Sequence, residues 1–130
     1  MNNLKGRISL TSYKKISSVS PFSYLELYPL TGRTHQIRVH LNSIGHPIIL
    51  DDVYGGGAKI FKSYHPKYIP LINKVINKIN RFALHAYEIE FFHPISKEKI
   101  KFKAEIPKDI DDVLNVISWI RNWLISLFYI

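Results

Sequence analysis

No cysteine occurs among the 130 residues, which excludes disulfide staples, thiolate metal sites and a cysteine nucleophile. The fold must therefore stand on its apolar core, and a thiol-free chain of this kind is expected in the cytoplasm. The opening MNNLKGRISL holds no continuous apolar segment of the kind a secretory leader needs, so none is expected there. The strongest apolar run, residues 113–130, is broken by Asn115, Ser118, Arg121, Asn122 and Ser126. A bilayer span needs about 20 mainly apolar residues, so no membrane partner is expected, and the run reads as a helix that is buried or docked. Acidic residues are scarce. Against 18 Lys and Arg there are 10 Asp and Glu, giving a formal charge of +8 and a pI near 9.7. That excess points to a polyanionic partner, nucleic acid before an acidic membrane surface, the alternative being a merely solvated basic face. The rest of the composition, 46% hydrophobic and 22% charged, is that of one globular domain.

Along the chain, residues 7–16 and 22–28 read as two strands joined by a turn containing Ser17, Ser18, Ser20 and Pro21. Leu30-Thr31-Gly32-Arg33 is a turn signal, followed by a helical pattern over 34–44. Ile37, Leu41 and Ile44 would form its buried stripe, while His35, Arg38 and Asn42 share another face. Gly45 suits the position just past the helix end, and Pro47 opposes continuation. Residues 51–57, DDVYGGG, read as a loop. Residues 58–81 carry Lys59, Lys62, Lys67, Lys74, Lys78 and Arg81 with no acid, and a short helix is expected over 71–79. Phosphate contacts are expected first in this stretch, at Lys59 and Lys62.

The pattern then gives strands over 83–92 and 99–106 with a connection at 93–98. In the second, Ile100, Phe102, Ala104 and Ile106 alternate with Lys99, Lys101, Lys103 and Glu105, as in a half-buried strand with one wet face. Asp109, Asp111 and Asp112 follow Pro107 and would sit at a helix N-terminus, where the macrodipole favours negative charge. The fold class is α+β: a mixed, mainly antiparallel sheet with two or three flanking helices.

Six histidines raise the question of a metal site, but His35 and His40 lie five apart, off the i, i+4 spacing of a zinc pair. No Gly-x-Ser-x-Gly elbow supports a hydrolase. Asp51 and Asp52 are neighbours whose side chains point apart, so loop capping is the expected role. The segment TGRTHQIRVHLNSIGH is richer. Arg33, His35, Arg38 and His40 put four potential cations into eight residues as a helix opens behind a glycine turn, an arrangement suited to phosphate or RNA.

That segment, from Thr31 to Leu41, resembles the signature of the RluA/RluD-type RNA pseudouridine synthases. Gly45-His46-Pro47-Ile48, Asp52, Tyr54-Gly55, Leu84-His85-Ala86, Phe92-His93-Pro94, Phe102-Lys103-Ala104 and Ile106-Pro107-Lys108-Asp109 extend the resemblance. Upstream, Thr11-x-Tyr13 and Leu25-Glu26-Leu27 fit as well, so it covers residues 11–114. Leu50 stands where the family has glycine, a change expected to alter only the loop backbone. The resemblance implies conversion of a uridine in structured ribosomal or transfer RNA to pseudouridine, with no cofactor and no metal. The uridine is flipped out of the stack, an aspartate acts at the ribose–base linkage, and the freed uracil rotates and rejoins through carbon. It also implies that Arg38 holds and orients that aspartate, with Arg33 and His35 near the RNA.

The family carries its aspartate in an Arg-Leu-Asp segment and a stacking tyrosine in Lys-x-Tyr, both upstream of this helix. Neither segment occurs in the 30 residues before Thr31, and the first aspartate here is Asp51. Tyr13 matches a structural tyrosine of the family instead. The chain is therefore expected to be the C-terminal part of a catalytic domain over 1–114, with an apolar helix or tail over 115–130. By that reading it is inactive alone, and Arg38 is the partner of a missing aspartate. Two other readings stand beside it: an RNA-binding module without catalysis, and an interaction piece whose residues 113–130 dock on a partner or a second copy. An incomplete sheet would leave a strand edge and an apolar face open, which Trp119, Trp123 and Phe128 of the tail are placed to cover.

Overall fold

The computed structural model describes residues 7–119. Two antiparallel hairpins and a small helical cluster make up the α+β fold. Strands β1 (Thr11–Val19) and β2 (Phe22–Pro29) pair from Thr11 opposite Pro29 to Val19 opposite Phe22. Their turn is only Ser20-Pro21, joined by a cis peptide bond, so Ser17 and Ser18 belong to the strand and not to the turn. A bulge between Lys15 and Ser17 shifts the register.

Helix α1 (Gln36–Ser43) is shorter than its pattern suggests. His35 takes a left-handed conformation, φ 54°, and the helix can begin only after it. The helix ends as expected: the His46 N–H donates to the Leu41 carbonyl and Gly45 N–H to Asn42, with Gly45 at φ 78°. The expected apolar stripe is only partly realised. Leu41 is buried, Ile37 is half-buried and Ile44 lies exposed past the last turn, whereas the polar Gln36 is buried.

Beyond the 51–57 loop come α2 (Ala58–Phe61), a 3-10 turn (Pro66–Tyr68) and α3 (Ile69–Ile76). Helix α3 starts two residues earlier than expected, because Pro70 fits a first turn that needs no N–H there. Helix α4 (Lys108–Trp119) closes the described chain. Its Ile110, Val113, Leu114 and Ile117 recur at i, i+3, i+4, i+7 and meet Ile72, Val75 and Ile79 in one core with Phe22, Tyr24 and Phe61. The start of the segment expected to dock on a partner is thus buried in the chain's own core. Residues 120–130, with Trp123 and Phe128, lie outside the described residues. Among those described, no helix is long and apolar enough to cross a membrane.

Arg81 stands apart from the rest of the basic run. Its guanidinium forks onto Asp109 at 2.8 and 3.0 Å and donates to the Leu84 carbonyl, stapling residues 81–84 to the first turn of α4. The Asp109 carboxyl is held below its usual range, chiefly by these hydrogen bonds.

Strands β3 (Glu88–Phe92) and β4 (Lys99–Lys103) form the second sheet, separate from the first. Residues 83–86 do not join its ladder: the Ala83 N–H donates to Ile49 and the Leu84 N–H to Phe82, and only Tyr87, whose carbonyl accepts the Ala104 N–H, extends the pairing by one bond. The connection at 93–98 is as expected, closed by the His93 N–H on the Glu98 carbonyl. One face is a Lys–Glu ladder, with Lys99 on Glu90 and both Lys101 and Lys103 on Glu88. The other face, expected to be buried, is open. Phe91 stacks on Phe102 at 6.1 Å, yet Ile89, Phe91 and Phe102 remain 60%, 42% and 56% exposed. With only two strands and no described element on top, the apolar side has nothing to pack against.

This contrast yields a measurable difference. Ile72→Ala, at a site 1% exposed, is expected to cost about 2–5 kcal/mol and lower the urea midpoint at constant m. Phe102→Ala should stay within about 0.5 kcal/mol of the parent.

Candidate functional site

Helix α1 divides its polar side chains between two tasks. Gln36, Thr31 and His40 lock the helix to the start of β1. The Gln36 Oε1 accepts from Thr31 Oγ1 at 2.7 Å and from the Arg33 N–H at 3.1 Å. Its Nε2 donates to the Leu10 carbonyl and to Thr11 Oγ1, both at 2.9 Å. His40 joins Ser9 and Thr11 by its two ring nitrogens, so it is a structural residue and not one of the free cations. The backbone carrying Arg33 is therefore fixed, while the Arg33 side chain is exposed and makes no ion pair among the described residues.

The opposite face, His35, Arg38 and Asn42, turns to the 51–57 loop in keeping with its spacing. Arg38 Nε donates to Asp51 Oδ2 at 2.7 Å and Nη2 to Oδ1 at 2.8 Å. The Asp51 side chain is fully enclosed and that of Arg38 is 12% exposed. The guanidinium lies over the rings of Tyr54, at 4.8 Å, and Phe82, at 4.6 Å. Its Nη1 has no hydrogen-bond partner among the described residues. The bond from Arg38 holds the Asp51 carboxyl below its usual range against the opposing effect of burial. The same bond raises the Arg38 pKa. Asp51 also caps the loop, as expected of it, accepting the Tyr54 N–H at 3.1 Å. Tyr54 in turn meets His35, whose Nδ1 is 3.0 Å from the phenol oxygen.

Backbone contacts shape this loop. The Leu50 N–H donates to the Gly56 carbonyl, and the Gly56 N–H donates to Asp51. A side chain at Gly56 would collide with the Ile48 carbonyl, so only glycine lets the two strands of the loop close. Leu50 has φ 61°. Leu50 thus takes a left-handed conformation that costs a non-glycine residue about 1–2 kcal/mol, while its side chain packs on the core.

The first 43 residues match the family model described as RNA pseudouridylate synthase. An uncharacterised RNA pseudouridine synthase of Chlorobaculum parvum is 35% identical over 118 residues, 91% of this chain and 36% of the relative. Two proteins named ribosomal large subunit pseudouridine synthase D are also similar. That of Buchnera aphidicola is 38% identical over 111 residues, 84% of this chain and 34% of its own. That of Neisseria meningitidis serogroup B is 39% identical over 112 residues, 86% and 28%. Over most of its length the chain is thus similar to RNA pseudouridine synthases of the RluA/RluD type. It spans about a third of the length of the curated relatives it matches.

Of the positions that resemblance to these synthases singles out, the fold brings His35 and Arg38 together around Tyr54. Arg33 stands on the turn before them, and Lys59 and Lys62 are exposed on and just after α2, next in the chain after the loop. No described contact joins either lysine to Arg38. The sequence pattern did not assign Asp51, Tyr54 or Phe82 to this pseudouridine synthase-like site. The signal for Asp51 was its place in a glycine-rich loop facing a basic helix; nothing local marks Phe82.

Asp51→Asn leaves a nearly buried guanidinium without its charge partner, at an expected cost of about 3–5 kcal/mol. The folded-state pKa of Asp51 is lowered, so its contribution is complete above the unfolded carboxyl value of about 3.9 and is lost as pH falls through the folded value. Denaturation followed from pH 6 to acid should therefore show a shallower acid limb in the variant, the part owed to Asp109 remaining.

Proposed function

We propose that this chain supplies the RNA-holding and arginine side of a site that converts uridine to pseudouridine in structured RNA, and that it does not turn over alone. In that reaction the bond from uracil N1 to ribose C1′ breaks and a bond from C5 to C1′ forms. The C5 proton leaves and N1 gains one, so atoms balance without a cofactor. The observation that carries the reading is Arg38: held rigidly by Asp51 and two rings, with Nη1 left to take a second carboxylate or an anionic group. Asp51 itself is 1% exposed and doubly bonded to that arginine, so it has no approach to a nucleotide. Arg33, His35, Lys59 and Lys62 are the exposed basic groups that would meet phosphate. Two of the similar proteins are named for the large ribosomal subunit, which makes its RNA the first substrate to try. The burial of Asp51 also favours a second reading, an RNA-binding module without chemistry.

The chain alone is expected to release no C5 tritium from labelled, unmodified ribosomal RNA, and to bind that RNA with an affinity that falls steeply with salt. Replacing Arg33, Lys59 and Lys62 by alanine should lower the salt slope by about one for each phosphate left unneutralised, with the fold unchanged. Turnover by the chain alone, or binding indifferent to salt, would overturn the proposal.

A further inference from the structure

No acidic residue lies between Asp52 and Glu88, while five lysines do. Among the described residues none of the five enters an ion pair, whereas every lysine of β4 does. Helix α3 packs by one side, with Ile72, Val75 and the following Ile79 in the core. That packing fixes what the other side shows: Asn73, Lys74, Asn77 and Lys78 are exposed, the last two just past the helix end. Lys67, also exposed, sits on the 3-10 turn that leads straight into α3. Seven residues before Lys74 and eleven before Lys78, it shares their side at about 3.6 residues per turn, in a row about 16 Å long. Its Nζ lies 4.9 Å from the centre of the Tyr68 ring. The row ends near Arg38. Lys78 is four residues before Phe82, whose ring lies 4.6 Å from the Arg38 guanidinium, and four residues span at most about 14 Å.

Lysine heads meet phosphate as point charges, and an asparagine amide both donates to and accepts from a ribose hydroxyl. Proteins that hold unpaired strands stack the bases on aromatic rings. This row offers none, since the ring of Tyr68 is half-buried beneath Lys67. Double-helical RNA is gripped instead through its phosphates and 2′-hydroxyls. We infer that the exposed side of α3, with Lys67, is a binding surface for double-helical RNA. Lys67, Lys74 and Lys78 meet phosphates, and Asn73 and Asn77 meet 2′-hydroxyls. The helix macrodipole favours Lys74 and Lys78 near a C-terminus but gives no reason for Lys67. The inference rests on the proposed function in taking RNA as the ligand, and it adds a surface apart from Arg33, His35, Lys59 and Lys62. A stem lying on α3 leaves the unpaired nucleotide at its end close to Arg38.

The test is fluorescence anisotropy of the full chain across a potassium chloride series, with a labelled stem-loop RNA and with polyuridine of equal length. The stem-loop is expected to bind the more tightly at every salt concentration. Lys67→Gln, Lys74→Gln and Lys78→Gln together should lower its salt slope by about three, one for each phosphate, and remove the preference over polyuridine. Lys67→Gln alone lies outside α3, so it should lower the slope by about one with circular dichroism unchanged. Asn73→Ala with Asn77→Ala should narrow the gap between the stem-loop and its DNA counterpart, because the 2′-hydroxyl separates the two. Unaltered slopes in the lysine variants, or a parent chain that prefers polyuridine, overturn the inference. So do phosphatidylglycerol vesicles that displace the stem-loop from the parent and fail to bind the triple variant, which would assign the surface to a membrane. If the Arg33, Lys59 and Lys62 alanine variant binds as the parent does while the α3 variant loses the stem-loop, the inference stands and the proposed function alone loses its support.

Discussion

A carboxylate as deeply enclosed as that of Asp51 is tolerable only because Arg38 meets it with two parallel hydrogen bonds. The pair fixes more than itself. By holding Asp51 it sets the loop that returns through Gly56, and by lying between Tyr54 and Phe82 the guanidinium clamps that loop to the segment after α3. The Ala83 N–H on Ile49 and the Arg81 fork on Asp109 carry the same constraint on to α4. Helix α1, the glycine loop and the helical core are thus connected through one charge pair, and the position of Arg38 is defined by structure on every side but one.

Much of this was legible in the chain. The end of α1 at Gly45, the helix after Pro107 that needs burial and the connection at 93–98 follow from local rules that tertiary contacts do not override. The shared face of His35, Arg38 and Asn42 was correct even though His35 precedes the helix, because a left-handed residue at that point still turns its ring toward Tyr54. What escaped was long-range. Asp51 finds Arg38 only after a loop closes through hydrogen bonds that no periodicity encodes. Gln36 looks like one more polar residue of a basic helix, and its burial depends on Leu10 and Thr11, 26 and 25 residues away. The strand pattern over 83–92 is real as a pattern, but most of its first half is held by the loop and by Arg81, and it meets the other strand only from Tyr87 onward.

The charge of the molecule divides in the same way. Some of the basic groups that dominate the sequence are internal fasteners: Arg38 on Asp51, Arg81 on Asp109, and the β4 lysines on Glu88 and Glu90. Others, among them Arg33, Lys59 and Lys62, remain at the surface with no described acidic partner. A net charge of +8 thus says less about where a polyanion would bind than do the few cations left over once the structural pairs are removed.

The buried amide of Gln36 bears on how that surface would behave. With both ends of its side chain committed, it holds the Thr31–Arg33 turn against β1 before any ligand arrives. An RNA meeting Arg33 need order only a side chain, not a loop, so the entropy cost of association is small for a contact so near a chain reversal. In a complex formed there, such preorganisation would be felt mainly in dissociation, because the turn has no relaxed conformation to move into as the ligand leaves.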